Sequence, residues 1–282
     1  MMFKTMIHGV ASAAIALGMG FAGTAHAEPG AMARASGELK YVISKITATR
    51  AAPSVTWLTG AVPTGTGFVQ YANLEQTQNA KDPVGGYAGS TSPVTAGVEV
   101  LSTQMVNQVG FGLVQANSTA FVVPGSSAAT GTLAQLSAVA TGAYGTSGAV
   151  GGQRVTYSDV RYARAFTLGP NTRITFTLTA GSSAVLNNYQ WTMNGRQQFW
   201  TAMTDTYLYA GAKQAAGYYR QDTNSYMYTL QERYYGASQG YAAGDGVQME
   251  GRDMRVTFDN ATTGLKSGAV WAITQAKTNM TQ

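Results

Sequence analysis

The chain contains no cysteine, only two histidines and few charged residues, which make up 11% of its 282 positions. Without thiols it forms no disulfide, ligates no iron–sulfur cluster and performs no thiol redox chemistry. Both histidines, His8 and His26, fall ahead of Glu28, in a segment that reads as a removable leader. The remaining chain lacks the imidazole that Ser-His-Asp and Cys-His hydrolysis require and that zinc sites commonly use. No later apolar run approaches the roughly 20 residues that a helix needs to span a bilayer. The basic excess is small, a formal net charge of +5, and it is scattered. A scattered excess of this size does not mark a nucleic-acid surface, which needs a clustered basic patch.

The first residues form a short n-region with one Lys, followed by the small and aliphatic run Val10 to Phe21. Ala25-His26-Ala27 then place small residues at the two positions that a signal peptidase reads, so cleavage after Ala27 is expected, with Ala25 and Ala27 as the recognised residues. The apolar run is too short for a membrane anchor. Export to the cell surface or the medium follows from the leader, with the periplasm as the other compartment open to it.

What is abundant is glycine, 34 residues, together with threonine, serine and sixteen tyrosines. Low charge with these residues favours short strands and tight turns over helices. Residues 28–282 are expected to form one domain large enough to bury an ordinary hydrophobic core without disulfides. Residues 28–37 read as a flexible exit from the leader. Leu39 to Thr49 and Pro53 to Thr59 read as the opening strands, and 79–93 as a turn-rich loop. Strand-like runs follow from Val94 to Val123, with Gly110 and Gly112 at bends. Residues 125–152 are dominated by Gly, Ala, Ser and Thr and read as a pliable surface connection or a strand pair of small side chains. A short helix through Leu133, Leu136 and Val139 is the lesser reading.

The clearest periodicity lies at Arg173–Thr179, where Ile174, Phe176 and Leu178 alternate with Arg and Thr, the signature of a strand with one buried face. With Val160 to Leu168 and the Gly169-Pro170-Asn171 turn before it, the segment is expected to form a hairpin. Arg255 to Asp259, a turn near Gly264 and Gly268 to Gln275 suggest a second hairpin. No repeat of 20–50 residues is present, which excludes solenoids and propellers.

Between these pairs lies a tyrosine-rich segment, 187–241. Tyr207/Tyr209 and Tyr226/Tyr228 are spaced two apart, so each pair falls on one face of a strand. Trp191, Trp200, Tyr218 and Tyr226 are the candidate aromatic platform for a ligand, against the alternative that such rings only stabilise cross-strand pairs.

Three stretches carry a likeness to known proteins: Leu39 to Trp57 with its PSVTW strand, Tyr162 to Phe176 (YARAFTLGPNTRITF), and Arg252 to Ala272. Together they resemble a loose group of proteobacterial exported proteins commonly read as β-sandwiches. Many of these carry a C-terminal sorting tail with a Pro-Glu-Pro motif. The residues Thr278-Asn279-Met280-Thr281-Gln282 carry no such motif. The resemblance implies the fold and carries over no functional residue.

Gly236-Ala237-Ser238-Gln239-Gly240 matches G-x-S-x-G, but the nucleophile elbow needs a histidine partner and a strand-to-helix turn, and neither is expected here. Asp245, Glu250 and Asp253 lie in a Gly-flanked acidic stretch. If that stretch is a loop, it offers the oxygen ligands that Ca²⁺ takes, although not at EF-hand spacing. Arg252 and Arg255 stand close enough in sequence to pair with these acids instead. No other cofactor is expected. Asp159, Asp205, Asp222, Glu232 and Glu250 are the acids available for a two-carboxylate glycosidase.

The fold expected is all-β, a single two-sheet sandwich of jelly-roll type, with strands from 39–59 and 255–275 near each other. An outer-membrane barrel is the architectural rival. The leading functional expectation is an exported, non-enzymatic structural, adhesive or matrix protein that self-associates through its Tyr-rich surface. The alternative is a carbohydrate-binding module on extracellular polysaccharide, and the third reading is a carboxylate enzyme on such a polymer.

Overall fold

The computed structural model describes residues 30–48, 51–58, 62–64, 67–69, 72–81, 87–96, 101–109, 112–122, 130–143, 153–189, 198–235 and 244–281. The expected leader with Ala25 and Ala27, the segment holding Trp191, and the Gly236–Gly240 motif lie outside these residues. Among the described residues every regular element is a strand.

Two antiparallel sheets face each other and neither closes into a barrel. The six-stranded sheet runs β14 (Gly244–Asn260), β11 (Thr172–Tyr189), β1 (Gly30–Lys45), β9 (Thr130–Ala143), β8 (Gly112–Val122), β7 (Leu101–Val109). The seven-stranded sheet runs β13 (Thr223–Tyr235), β12 (Gln198–Ala212), β15 (Lys266–Thr281), β10 (Gln153–Leu168), β5 (Ala72–Lys81), β6 (Tyr87–Ala96), with β2 (Val55–Trp57) also paired to β10. The small hairpin β3 (Val62–Thr64) and β4 (Gly67–Val69) forms a separate two-stranded sheet. No helix among the described residues is long and apolar enough to cross a membrane.

The alternation seen at Arg173–Thr179 extends through most of the sandwich. Even-numbered residues of β10, β11, β12, β14 and β15 point between the sheets, as do odd-numbered residues of β1. The interior is graded. Near the turns at 169–171 and 261–265, Trp57 packs edge-on to Tyr41 at 5.0 Å and Phe166 at 5.7 Å, and Phe166 meets Phe258 edge-on at 5.3 Å. Farther along the strands the inward residues shrink to Ala31, Ala33, Ala138, Ala140, Ala180 and Ala184. The aromatic end is closely filled: a Cβ on Gly268 would stand 2.8 Å from the ring ends of both Phe166 and Phe258.

Several expectations are corrected by this architecture. Residues 30–37 are not a flexible exit but the first half of β1, with Ala31, Ala33 and Ala35 buried. The 79–93 loop is largely strand, since β5 and β6 pair from Ala72↔Ala96 to Lys81↔Tyr87. Of the readings of 125–152, the strand of small side chains holds at 130–143, and the helix and the surface connection do not. These residues form β9, an interior strand with Leu133, Leu136 and Ala138 buried, because small side chains are what the narrow part of the core accepts. Both expected hairpins are arches instead. β10 and β11 lie in opposite sheets, as do β14 and β15, so each turn carries the chain across the core. The opening and closing strands lie near each other without pairing: β1 and β14 flank β11, and β15 sits in the facing sheet.

Asn260 holds the two arches together. Its buried amide donates to the carbonyls of Leu168 (3.1 Å), Gly169 (2.9 Å) and Gly264 (2.8 Å), while its Oδ1 accepts from Thr262 Oγ1 at 2.7 Å. Asn171 occupies the left-handed region at φ 53°, which Asn tolerates, and its side chain both donates to and accepts from the Thr47 backbone. Asn260→Ala is expected to lower stability by at least about 2 kcal/mol, because buried carbonyls lose their donors. Chemical denaturation checks this.

Three inward hydroxyls, those of Thr204, Thr206 and Thr274, have no hydrogen-bond partner among the described residues. Thr206 and Thr274 stand directly opposite each other on β12 and β15. Thr206→Val combined with Thr274→Val is expected to raise the unfolding midpoint, each change removing a desolvation cost of about 1 kcal/mol.

Candidate functional site on the outer face of the seven-stranded sheet

β12 uses both of its faces. Trp200, Ala202, Leu208 and Ala210 point into the core, so Asp205, Tyr207 and Tyr209 point out. Register then brings in the neighbours: Tyr226 of β13 lies opposite Tyr207 and Tyr228 opposite Asp205. The rings form one ladder. Tyr209 and Tyr207 stack at 5.8 Å, Tyr207 meets Tyr226 at 5.0 Å across the strands, and Tyr226 stacks with Tyr228 at 6.4 Å. Tyr226 is the most open of the four at 44% exposure, and the others are half-buried.

The polar residues beside the ladder follow from the same register. Asp205 lies opposite Gln275 of β15, and Gln275 lies opposite Asp159 of β10, so the three form one row across three strands. The Asp159 carboxylate is 1% exposed. It accepts hydrogen bonds from Tyr157 Oη at 2.8 Å, Gln275 Nε2 at 2.9 Å and Arg161, whose Nη2 approaches to 2.6 Å. Gln275 also donates to Tyr157 Oη at 2.7 Å. This hydrogen bonding to Asp159 pushes the Arg161 guanidinium up, against the opposing effect of burial.

Asp205 differs in environment. Burial pushes its carboxyl up, and the hydroxyls of Tyr226 (3.2 Å) and Tyr207 pull it partly back. The effect is mutual: burial first, then the Asp205 charge, pushes the Tyr226 phenol up to about 12. Tyr207 is raised for the same reasons.

A wall bounds one end of this face. Ala163, Ala165, Ala269 and Trp271 form a small second core on the outer side, covered by Val62 of β3 and by Tyr219, with Tyr209 packed against it. The covering loop is tied down. Tyr219 N donates to Pro63 O at 2.9 Å, and Asp222 accepts from Ala212 N at 3.1 Å. Gly211 lies so close beneath this loop that a Cβ there would overlap the Arg220 carbonyl.

Of the described members of the expected aromatic platform, only Tyr226 joins the ladder. Trp200 is a core residue at 1% exposure, since its even position faces the facing sheet. Tyr218 is half-buried in the covering loop, and Trp191 lies outside the described residues. Tyr207, Tyr209 and Tyr228 were visible as same-face pairs, but the pairing of β12 with β13 that merges them was not.

The proposed calcium loop is strand β14. Glu250 and Asp253 point to opposite faces of it, and Asp245 stands eight residues from Asp253, about 27 Å along an extended chain. Asp253 accepts from Thr179 Oγ1 at 2.8 Å. Among the described residues no three acids gather as a metal site would need.

The two described carboxylates of the row, Asp159 and Asp205, stand two strands apart, roughly 9.5 Å between backbones. Asp159 is enclosed and accepts from Tyr157, Arg161 and Gln275, whereas Asp205 accepts from Tyr226. The face sets together a line of phenols, a carboxylate with a raised pKa and an amide. No protein-family model matches the chain, and neither a curated protein nor a solved structure does.

The Tyr226 phenol has a raised folded pKa, so its contribution to stability is fully present below pH 10 and lost as pH rises through about 12. In an alkaline titration of phenolate absorbance, Tyr226→Phe is expected to remove a late-ionising component. Asp205→Asn is expected to move that component to lower pH, because a negative neighbour is gone.

Proposed function

We propose that this chain is an exported, non-catalytic β-sandwich of the adhesive or matrix kind, and that it holds an extended, uncharged polysaccharide on the outer face of its seven-stranded sheet. The observation that carries this is the Tyr209–Tyr207–Tyr226–Tyr228 ladder lying beside the Asp205–Gln275–Asp159 row. Aromatic rings with polar tips take up the apolar faces and the hydroxyls of sugars together. Carboxylate and amide groups in fixed positions supply orientation, and the wall at Tyr219 and Val62 sets where a chain begins on the face. The Arg161–Asp159 pair cancels its own charges and leaves the Asp205 carboxylate as the charge of the row, which favours a neutral polymer over an acidic one.

Affinity electrophoresis through a panel of neutral and acidic polysaccharides tests the proposal. Retardation by at least one neutral polymer is expected, with Tyr207→Ala/Tyr226→Ala weakening binding at least about tenfold, a loss of about 1.4 kcal/mol. Lys40→Gln, on the other sheet, is expected to bind as the unaltered protein does. Absence of binding to every polymer, or equal binding by the double variant, would contradict the reading.

A further inference from the structure

A second surface, unrelated to the tyrosine face, has its own pattern. β14 is the outermost strand of the six-stranded sheet and pairs only with β11 among the described residues. Among the described residues such an edge leaves a row of backbone N–H and C=O groups without a strand partner, the Asp259 carbonyl accepting instead from Lys266 Nζ at 2.8 Å. Proteins usually guard such an edge with Pro, charged side chains or a bulge. β14 contains neither Pro nor Lys, its charges are of both signs, and its pairing with β11 is regular from Thr172↔Asn260 to Leu186↔Gly246, the register shifting only beyond, at Tyr189↔Gly244. Its Met249 side chain is 73% exposed.

The charges on this strand are self-complementary. Asp253 and Arg255 flank Met254 on the outward face, and both are well exposed. Within the chain they approach only to 3.9 Å, whereas Arg173 and Asp259 on the same sheet face close to 2.6 Å. In an antiparallel pairing of two copies with Met254 on the two-fold axis, Asp253 faces Arg255 of the partner subunit, and Arg255 faces Asp253 of the partner subunit. A shift that sets Asp253 or Arg255 on the axis puts like charges directly opposite, which is unfavourable.

We infer that a second copy of this chain pairs antiparallel along β14, continuing the six-stranded sheet through the axis at Met254. Backbone hydrogen bonds supply the attraction and the Asp253/Arg255 pairs fix the register. Because the axis is perpendicular to the sheet, both subunits turn their tyrosine ladders to the same side. The inference is independent of what those ladders bind.

Sedimentation equilibrium of the purified protein tests it. A dimer is expected, with Asp253→Arg alone and Arg255→Asp alone each raising the dissociation constant at least about tenfold. The combined swap Asp253→Arg/Arg255→Asp is expected to restore the dimer. A monomeric protein overturns the inference, and so does a dimer untouched by the single reversals or a swap that fails to restore it. Amide exchange gives a readout without substitution: protection along 248–260 is expected to rise with protein concentration, and concentration-independent exchange overturns the proposal.

Discussion

The outer face of the seven-stranded sheet depends on the register of β12 between β13 and β15. That strand alternates between two jobs. Its even positions fill the core with Trp200, Ala202 and Leu208, and its odd positions carry Asp205, Tyr207 and Tyr209 outward. A slip of one residue would exchange the two sets, bringing tyrosines into a space sized for alanine and placing Trp200 in water. Burial of the even set is thus what holds the ladder in place. The outer-side cluster of Trp271, Tyr219 and Val62 strengthens the same register from the other face.

The gradation of the core explains how such long strands stay aligned. At 18 residues, β11 extends about 60 Å, well beyond an ordinary strand. Large rings concentrate where the arches cross, and Asn260 ties both arches there through three carbonyls. Farther along, alanines let the sheets approach, and buried hydroxyls such as the Ser182–Thr229 pair link β11 to β13 across the interior. Unpaired hydroxyls of Thr204, Thr206 and Thr274 are the weak part of that interior, since threonine serves strand propensity at the expense of an unsatisfied group.

Much of this was legible from residue alternation, but pairing partners were not. Ile174, Phe176 and Leu178 announced a strand with one buried face, and they are buried. The turn Gly169-Pro170-Asn171 announced a reversal, yet reversal within a sheet and reversal between sheets have the same turn chemistry. Hence two arches were read as hairpins. The small-residue stretch around 130–143 lacked bulk and so fitted a surface segment as well as a strand, and its lack of bulk is what suits it to the interior as β9. Tyr207/Tyr209 and Tyr226/Tyr228 showed their shared faces through spacing of two. Their union needed β12–β13 register, and the Asp159–Gln275–Asp205 row needed three strands in register, information that no local pattern holds. The acidic stretch misled for the opposite reason: proximity in sequence suggested a loop, while extension along β14 sends neighbouring acids to opposite faces.

A paired-cysteine experiment tests the register most directly, because the chain has no cysteine of its own. In the Tyr207→Cys/Tyr226→Cys variant the two sulfurs would lie directly opposite on β12 and β13, within the span a disulfide bridges. In Tyr207→Cys/Met227→Cys they would point to opposite faces. The account predicts rapid intramolecular oxidation of the first variant and none of the second, measured by mass spectrometry of the folded protein. Oxidation of the second variant in preference to the first would show the ladder to be out of register and would contradict the account at its base.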